Sequence, residues 1–540
     1  MANQITSAST AEYFSKNLQQ IGFSSPTKAV LTTLKEALDN ALDACEEAKI
    51  LPEIYIEIKK VGAGTIKGTD LIQIKVRDNG PGIDKDFVPK VFGEYLASSK
   101  FGRGRCSRGQ QGLGISAATT WAQVTAARGV LVTTKTKKEK EKKAYQALIE
   151  VDIKNNKGLI KEERSLEAAF PHGTEIEFIL DGKLQLNGEA GIKTYLSGTA
   201  LVNPSLSLRY KILDEEEVVL NRVSEVLSEI PDAVLPHPHT MKLGEFISHL
   251  SLFPKQKLKF VLENGFSRIS DSSLKDLVKR GFKKQLLSKE IEELNDLEKK
   301  ELYSLIQDLK LLPPSTKSVR KIGEENLEKS ISRLGDLDFF SVIERPATIC
   351  DFKPVKVEVA IARLKEKRGL DEPVQVLRFA NLVPLQFDKK ACVTTEAITT
   401  VNWKSYGLNQ PKESLPQGPY IFAISISSPF IKFKNASKET IDESEELLSE
   451  IRLALIQAGQ RLSKHIKLEQ KKEELESKRR YIEQFSPILI KFLEKITDAP
   501  AKDIQAAEKG LKKILGRDID TTEEDLASAQ KRVEKLKGDQ

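Results

Sequence analysis

Leu31, Leu34, Leu38 and Leu42 fall on one side of a helix turning about 100° per residue, with Glu36, Asn40 and Asp43 roughly opposite. The spacing predicts a helix through LKEALDNALDA (34–44) that points a carboxylate and an amide, one turn apart, away from the core. In LIQIKV (71–76), Ile72, Ile74 and Val76 alternate with Gln73 and Lys75, which predicts a strand with one buried face. EIEFIL (175–180) alternates in the same way. Gly109, Gly112 and Gly114 precede Ile115-Ser116-Ala117-Ala118, a stretch suited to begin a helix. From Pro236 to Leu312 the pattern is mostly amphipathic helix, as in GEFISHLSLF and LKDLVKRGFKKQLL, interrupted at Pro254 and Gly265. Strand-like runs return in 355–364, 373–387 and 418–428 and predict a mixed sheet. A helix is then expected from Ser437 to about Ile482, roughly 65–70 Å long, with an apolar stripe of Leu447, Ile451, Leu455, Leu462 and Ile466. Residues 483–540 read as a short, charged helical tail in which FSPILIKFLEKI is the anchoring stripe.

A chain of 540 residues is too long for one core and suggests three or four domains. With 39% hydrophobic and 30% charged residues it reads as soluble and globular. It has no run of about eighteen apolar residues that could span a membrane, and its first residues lack a signal-peptide layout. A cytoplasmic protein with no membrane partner is expected. Cys45, Cys106, Cys350 and Cys392 lie far apart without CxxC spacing, so free thiols are expected rather than zinc ligands or disulfides. The net charge of +7 is modest, and the mixed-sign run Lys135–Lys143 reads as a solvated loop between two strands. Lys464, Lys467, Lys471, Lys472, Lys478, Arg479 and Arg480 on the long helix could track phosphates without reading bases. An ordinary solvated helix accounts for them equally well.

The polar and glycine-rich segments carry the candidate chemistry. Glu36 suits a general base acting on water, and Asn40 suits a hard ion such as Mg²⁺ that keeps waters and substrate phosphates as its other ligands; a solvated helix face is the alternative. Asp78, at a strand exit before Asn79-Gly80-Pro81-Gly82, can accept a hydrogen bond from the exocyclic amine of adenine, although DNG is also an ordinary turn. Backbone N–H groups at the start of the 114–118 helix can cradle phosphate oxygens. The glycine spacing differs from the GxxxxGK[ST] loop.

In this order, VRDNGPG (76–82), SRGQQGLGISAA (107–118) and the first helix resemble the GHKL ATPases, the family of gyrase B, MutL, heat-shock chaperones and histidine kinases. His172-Gly173-Thr174 resembles that family's GT motif. ASSK (97–100), RFANLVPLQFDKKAC (378–392) and WKSY (403–406) resemble one branch of it, the B subunits of type IIB DNA topoisomerase VI, and the likeness runs from about residue 10 to about residue 480. The resemblance implies an α+β, multidomain chain: a Bergerat-type α/β sandwich ATPase domain, a small helical helix-two-turns-helix domain, and an α/β transducer domain with a long C-terminal helix. The expected limits are a strap at 1–20, the ATPase domain at 21–230, the helical domain at 231–312, the transducer at 313–482 and a tail at 483–540. It also implies an ATP site drawn from Glu36, Asn40, Asp78, Gly82, Ser99, Lys100, Gly109, Gln110, Gln111, Gly112, Leu113, Gly114 and Thr174. A transducer lysine that reaches the γ-phosphate is assigned to Lys438, with Lys434 as the alternative. Trp403, Lys404 and Tyr406 are the implied DNA contacts, and a core position is the other reading of Trp403.

The implied function is ATP-driven dimerisation that gates one DNA duplex through a double-strand break made by the topoisomerase VI A subunit, in an A2B2 heterotetramer associated with the nucleoid. ATP and Mg²⁺ are the expected cofactors. Sequence-nonspecific duplex DNA and the cleaving A subunit are the expected partners. A MutL-like repair ATPase, which ASSK and WKSY disfavour, and an ATP-gated scaffold are the rivals. No His precedes His172 to serve as the phosphoacceptor of a histidine kinase.

Overall fold

The computed structural model describes residues 8–98, 104–109, 112–138, 143–365, 371–435, 438–497, 500, 502–506 and 509–510. The first unit is built on eight strands: β1 (Glu53–Ala63), β2 (Asp70–Asp78), β3 (Val130–Lys135), β4 (Lys143–Asp152), β5 (Lys157–Glu167), β6 (Gly173–Gly182), β7 (Ser207–Ile212) and β8 (Val218–Leu220). They lie in the order β5-β4-β3-β6-β2-β1-β7-β8, and every neighbouring pair is antiparallel except β1 with β7. The alternation read in the sequence has a physical basis in two different faces. Ile56, Ile58, Ile72, Ile74, Phe178 and Leu180 are fully buried under the helices, each contributing roughly 1.5–3 kcal/mol. On the other face Lys75 pairs with Glu175 and Glu177 at 3.5 and 3.7 Å, and Arg77 with Glu175 at 3.8 Å.

Among the described residues the helices of this unit are α1 (Thr10–Lys16), α2 (Pro26–Glu47), α3 (Val88–Gly93), α4 (Gly114–Ala126) and α5 (Ile192–Val202). α2 starts where Ser25 accepts a hydrogen bond from the Lys28 N–H and Pro26 sets the first turn. α1 packs on its own domain through buried Ala11 and through Phe14, stacked on Tyr95 at 5.5 Å. The run Lys135–Lys143 joins the end of β3 to the start of β4, with residues 139–142 outside the described set.

A helical unit follows: α6 (Leu243–Leu250), α7 (Leu258–Gly265), α8 (Asp271–Lys279) and α9 (Asp296–Gln307). It has its own core around Phe246, Leu262, Phe266, Leu277 and Leu302. The third unit consists of α10 (Glu324–Ile331), β9 (Leu337–Glu344), β10 (Thr348–Cys350), β11 (Lys353–Leu364), β12 (Gln375–Ala380), β13 (Val383–Pro384), α11 (Val393–Thr400), β14 (Tyr420–Ser427) and α12 (Glu445–Thr497). Its sheet runs β10-β11-β14-β12-β13, with β9 also paired to β11; β12 and β14 are parallel. Leu201 and Val202 of α5 share one core with Leu337, Phe340, Phe379 and Ala423, so the first and third units are packed together.

The long helix departs from expectation at both ends: it begins at Glu445 instead of Ser437 and runs to Thr497, roughly 80 Å. Its start is delayed because Lys438 has a left-handed backbone (φ 54°) and Phe433 forms an antiparallel bridge with Ile441. The expected stripe of Leu447, Ile451, Leu455, Leu462 and Ile466 is buried against the sheet.

Candidate functional site

Glu36 and Asn40 leave α2 on the side away from its buried leucines and face a cavity of about 310 Å³. Asp43 does not join them. It is 4% exposed, because Arg108 meets it with Nη1 at 2.8 Å from Oδ1, so the polar face read from the sequence is split between cavity and interior.

Asp78 closes the cavity at the end of β2. Its Oδ1 accepts from Gly80 N at 2.7 Å and from Thr174 N at 3.2 Å, while His172 Nδ1 lies 2.7 Å from Gly80 O. Burial pushes the Asp78 carboxyl up to about 6, partly offset by those two N–H groups and by His172. Gly82 holds φ +75°, and a side chain there would strike Lys135 O at 2.2 Å, so the turn after Asp78 requires glycine. Val76, Ile83, Phe92 and Ile176 supply apolar wall.

The polar region of the cavity is set by α4, whose first residue is Gly114. A Cβ on Gly114 would lie 2.0 Å from the Glu36 carboxyl carbon, so the absence of a side chain is what lets Glu36 sit against the helix start. The first turn of α4, whose N–H groups lack partners within the helix, lines the cavity there beside Gly109, Gly112 and Leu113. The third unit closes this side with Pro384, Gln386, Phe387, Lys438 and Glu439. Lys438 Nζ donates to Arg108 O at 2.9 Å. Burial lowers its pKa, and Glu36 opposes that shift. Lys28 of α2 pairs with Glu439 at 2.9 Å and lies 4.4 Å from the Phe387 ring centroid, pinning the same wall.

Glu36, Asn40, Asp78, Gly82, Gly109, Gly112, Leu113, Gly114, Thr174 and Lys438 therefore line one cavity. Ser99, Lys100, Gln110 and Gln111 lie outside the described residues. Lys434 is exposed and bonds through its backbone N–H to Thr440 O at 3.0 Å. Arrangements of this kind accept a flat heterocycle with an exocyclic amine at the Asp78 end and an anion at the α4 end. Asn40, Glu36 and Glu47 offer hard oxygen donors to the same space. Among the described residues no group of three or more His, Cys, Asp or Glu is placed to hold a metal by itself.

Of the two readings of Trp403, a DNA contact and a core position, its surroundings are those of the core. Its side chain is 0% exposed, its Nε1 donates to Ile398 O at 2.8 Å, and its ring packs edge-on against Phe422 at 4.8 Å. It is a core residue that props the exposed Lys404 and the half-buried Tyr406 at the surface. Sequence reasoning misses Arg108, Phe387 and Glu439 as neighbours of the site. Phe387 falls within a segment that carries the family resemblance, but nothing in its pattern marks it as a cavity wall.

Residues 27–181 match the family described as histidine kinase-, DNA gyrase B- and HSP90-like ATPase, and residues 314–478 match the transducer of the topoisomerase VI B subunit. The type 2 DNA topoisomerase 6 B subunit of Methanococcoides burtonii is 32% identical over 96% of this chain and 81% of that protein. Its counterpart from Pyrococcus abyssi is 30% identical over 92% of this chain and 93% of that one. The crystallised ATPase region of Saccharomyces cerevisiae topoisomerase II overlaps 86% of this chain and 99% of that one at 12% identity and TM-score 0.40. No helix of the described residues is long and apolar enough to cross a membrane.

Proposed function

The chain belongs to the family of type 2 DNA topoisomerase 6 B subunits, and from that premise we propose how its residues make it the ATP-driven component of a type IIB DNA topoisomerase. The observation that carries this reading is the meeting of Glu36 from α2 and Lys438 from the transducer in one cavity, across the boundary between the two matched regions. Adenine donates its amine to Asp78, and the phosphates lie along Gly109, Gly112 and the N-terminus of α4. Asn40 would hold Mg²⁺, which would supply positive charge to offset the phosphates; a lone amide oxygen next to carboxylates suits an ion that takes most of its ligands from phosphate and water. Ser99, Lys100, Gln110 and Gln111 belong to the same site by resemblance.

Hydrolysis is then mainly positioning and charge stabilisation. Glu36 takes a proton from the attacking water. Lys438, moving from the Arg108 carbonyl to the terminal phosphate, registers whether that phosphate is present. Two copies of the chain dimerise when ATP is bound, with residues 1–20 exchanging as a strap. A second duplex is trapped and passed through the break made by the cleaving A subunit in an A2B2 assembly, in the cytoplasm at the nucleoid. Lys404, Tyr406 and exposed Lys464, Lys467 and Lys471 of α12 contact DNA phosphates without reading sequence.

Relaxation of supercoiled plasmid by this chain mixed with its cleaving A subunit, ATP and Mg²⁺ tests the reading. Relaxation should need both chains and disappear in Glu36→Ala, while nucleotide binding by the variant persists. ATP hydrolysis at the wild-type rate in Glu36→Ala would remove the base from its role.

A further inference from the structure

Beside the cavity lies a buried cluster of four charges that the reaction above does not use. Arg108 is 3% exposed. Its Nη1 donates to Asp43 Oδ1 at 2.8 Å and Glu46 Oε2 at 2.6 Å; its Nη2 donates to Glu46 Oε1 at 2.9 Å and to Asn203 Oδ1. Glu46 Oε2 also accepts from Arg320 Nη1 at 2.8 Å. Two guanidiniums and two carboxylates sum to zero. Burial alone would raise the Glu46 carboxyl, but Arg108 and Arg320 overcome it and hold the group at about 2.

The two arginines come from different parts of the chain. Arg108 immediately precedes Gly109, whose N–H also reaches Asp43 Oδ2 at 3.4 Å. Arg320 lies in the segment leading from the helical unit into the transducer. That segment is tied on both sides: Cys106 Sγ donates to Ser318 O at 3.5 Å, and Glu358 of β11 accepts from Ile322 N at 3.0 Å and Gly323 N at 2.7 Å. The carbonyl of Arg108 is the one on which Lys438 rests. Buried ionic clusters add little net stability over apolar packing, whereas the planar fork of arginine fixes geometry tightly. The cluster is therefore better suited to hold the root of the glycine loop in place than to stabilise the fold.

We propose that Arg108, Glu46 and Arg320 are positioning residues for ATP turnover: they fix the root of the glycine loop and the carbonyl that parks Lys438, and Arg320 ties that root to the transducer. The inference rests on the nucleotide reading of the cavity. Displacing the 315–323 segment moves the loop root and the lysine together, a mechanical link that runs parallel to Lys438 itself.

Arg320→Met is the informative cut, because it keeps the apolar stem while Glu46 retains both bonds to Arg108. In the full chain without nucleotide, hydrogen exchange of residues 104–109 should quicken about tenfold. Affinity for a non-hydrolysable ATP analogue, measured by calorimetry, should stay within about threefold, while kcat falls about tenfold. Arg320→Lys, which restores one charged donor, should recover most of kcat, and Glu46→Gln combined with Arg320→Met should be no slower than the worse single variant. Unchanged exchange at 104–109, or multiplicative losses in the double variant, would overturn the proposal. A wild-type chain that binds no analogue would defeat the nucleotide reading instead, and the exchange measurement would still decide whether Arg320 holds the loop root.

Discussion

Asp78 works both as a turn residue and as a site residue with the same oxygen. Its Oδ1 accepts the Gly80 N–H in the local turn that DNG predicts and also the Thr174 N–H from β6, 96 residues away. The first bond is legible in the sequence; the second depends on β2 and β6 being neighbours, which local pattern does not encode. Burial raises the carboxyl from its ordinary 3.8 to about 6. The folded state therefore holds the Asp78 proton more tightly than the unfolded chain. This costs stability as pH rises from about 4 through about 6, and the cost is relieved below that range. On the proposed reading it is the ionised form that would accept the adenine amine. Affinity for an ATP analogue should thus fall as pH drops through about 6, and Asp78→Asn should bind more weakly and lose this inflection. Calorimetry from pH 5 to pH 8 on both proteins separates the residue from the titration of the nucleotide, which is common to the two. Identical pH profiles would mean that Asp78 does not meet the base as an acceptor.

Between elements, the decisive junction is the packing of α2 against the start of α4. Glu36 lies where any side chain on Gly114 would collide, at 2.0 Å. Gly114→Ala should displace the Glu36 carboxylate and lower kcat by about a hundredfold, while circular dichroism and thermal unfolding stay close to wild type, because the backbone at 114 is ordinary helix. Normal turnover in that variant would show that Glu36 can act from another position. The elements themselves are unevenly legible. β2 and β6 stand out in the sequence because one face of each is buried and the other carries ion pairs. β5, an edge strand of sequence KGLIKEERSLE, is exposed along most of its length and has no alternation to read. Periodicity misplaces the start of α12 because local spacing does not reveal that Lys438 takes a left-handed backbone and that the helix begins only at Glu445. Resemblance puts Trp403 at a DNA surface; the competing rule, that a lone tryptophan in a sheet domain packs inside, describes its position.

Across the whole molecule, the first and third units are joined by an apolar core and by polar contacts at the cavity. The core of Leu201, Val202, Phe340 and Phe379 fixes how they sit, while Lys28 with Glu439 and Lys438 with the Arg108 carbonyl lie where a nucleotide would be sensed. Periodicity could reveal each unit but not these contacts, which join residues 411 and 330 positions apart. A ligand shifts such an assembly only by its differential affinity for two arrangements. On the proposed reading Lys438 is the group best placed to supply that difference, since its ammonium donates to the Arg108 carbonyl among the carboxylates of α2, and a terminal phosphate would offer it a further opposite charge. Burial lowers its pKa, so that exchange of partner is worth more here than at the surface. Lys438→Ala should accordingly slow ATP turnover by about tenfold or more and uncouple the remaining turnover from strand passage, read as plasmid relaxed per ATP consumed. Lys434→Ala should leave both quantities unchanged, because that side chain is exposed and does not line the cavity. If Lys434→Ala lost coupling while Lys438→Ala kept it, the sensing lysine would have to reach the phosphate by a rearrangement of residues 431–441, and the turn that now presents Lys438 would have to refold when ATP binds.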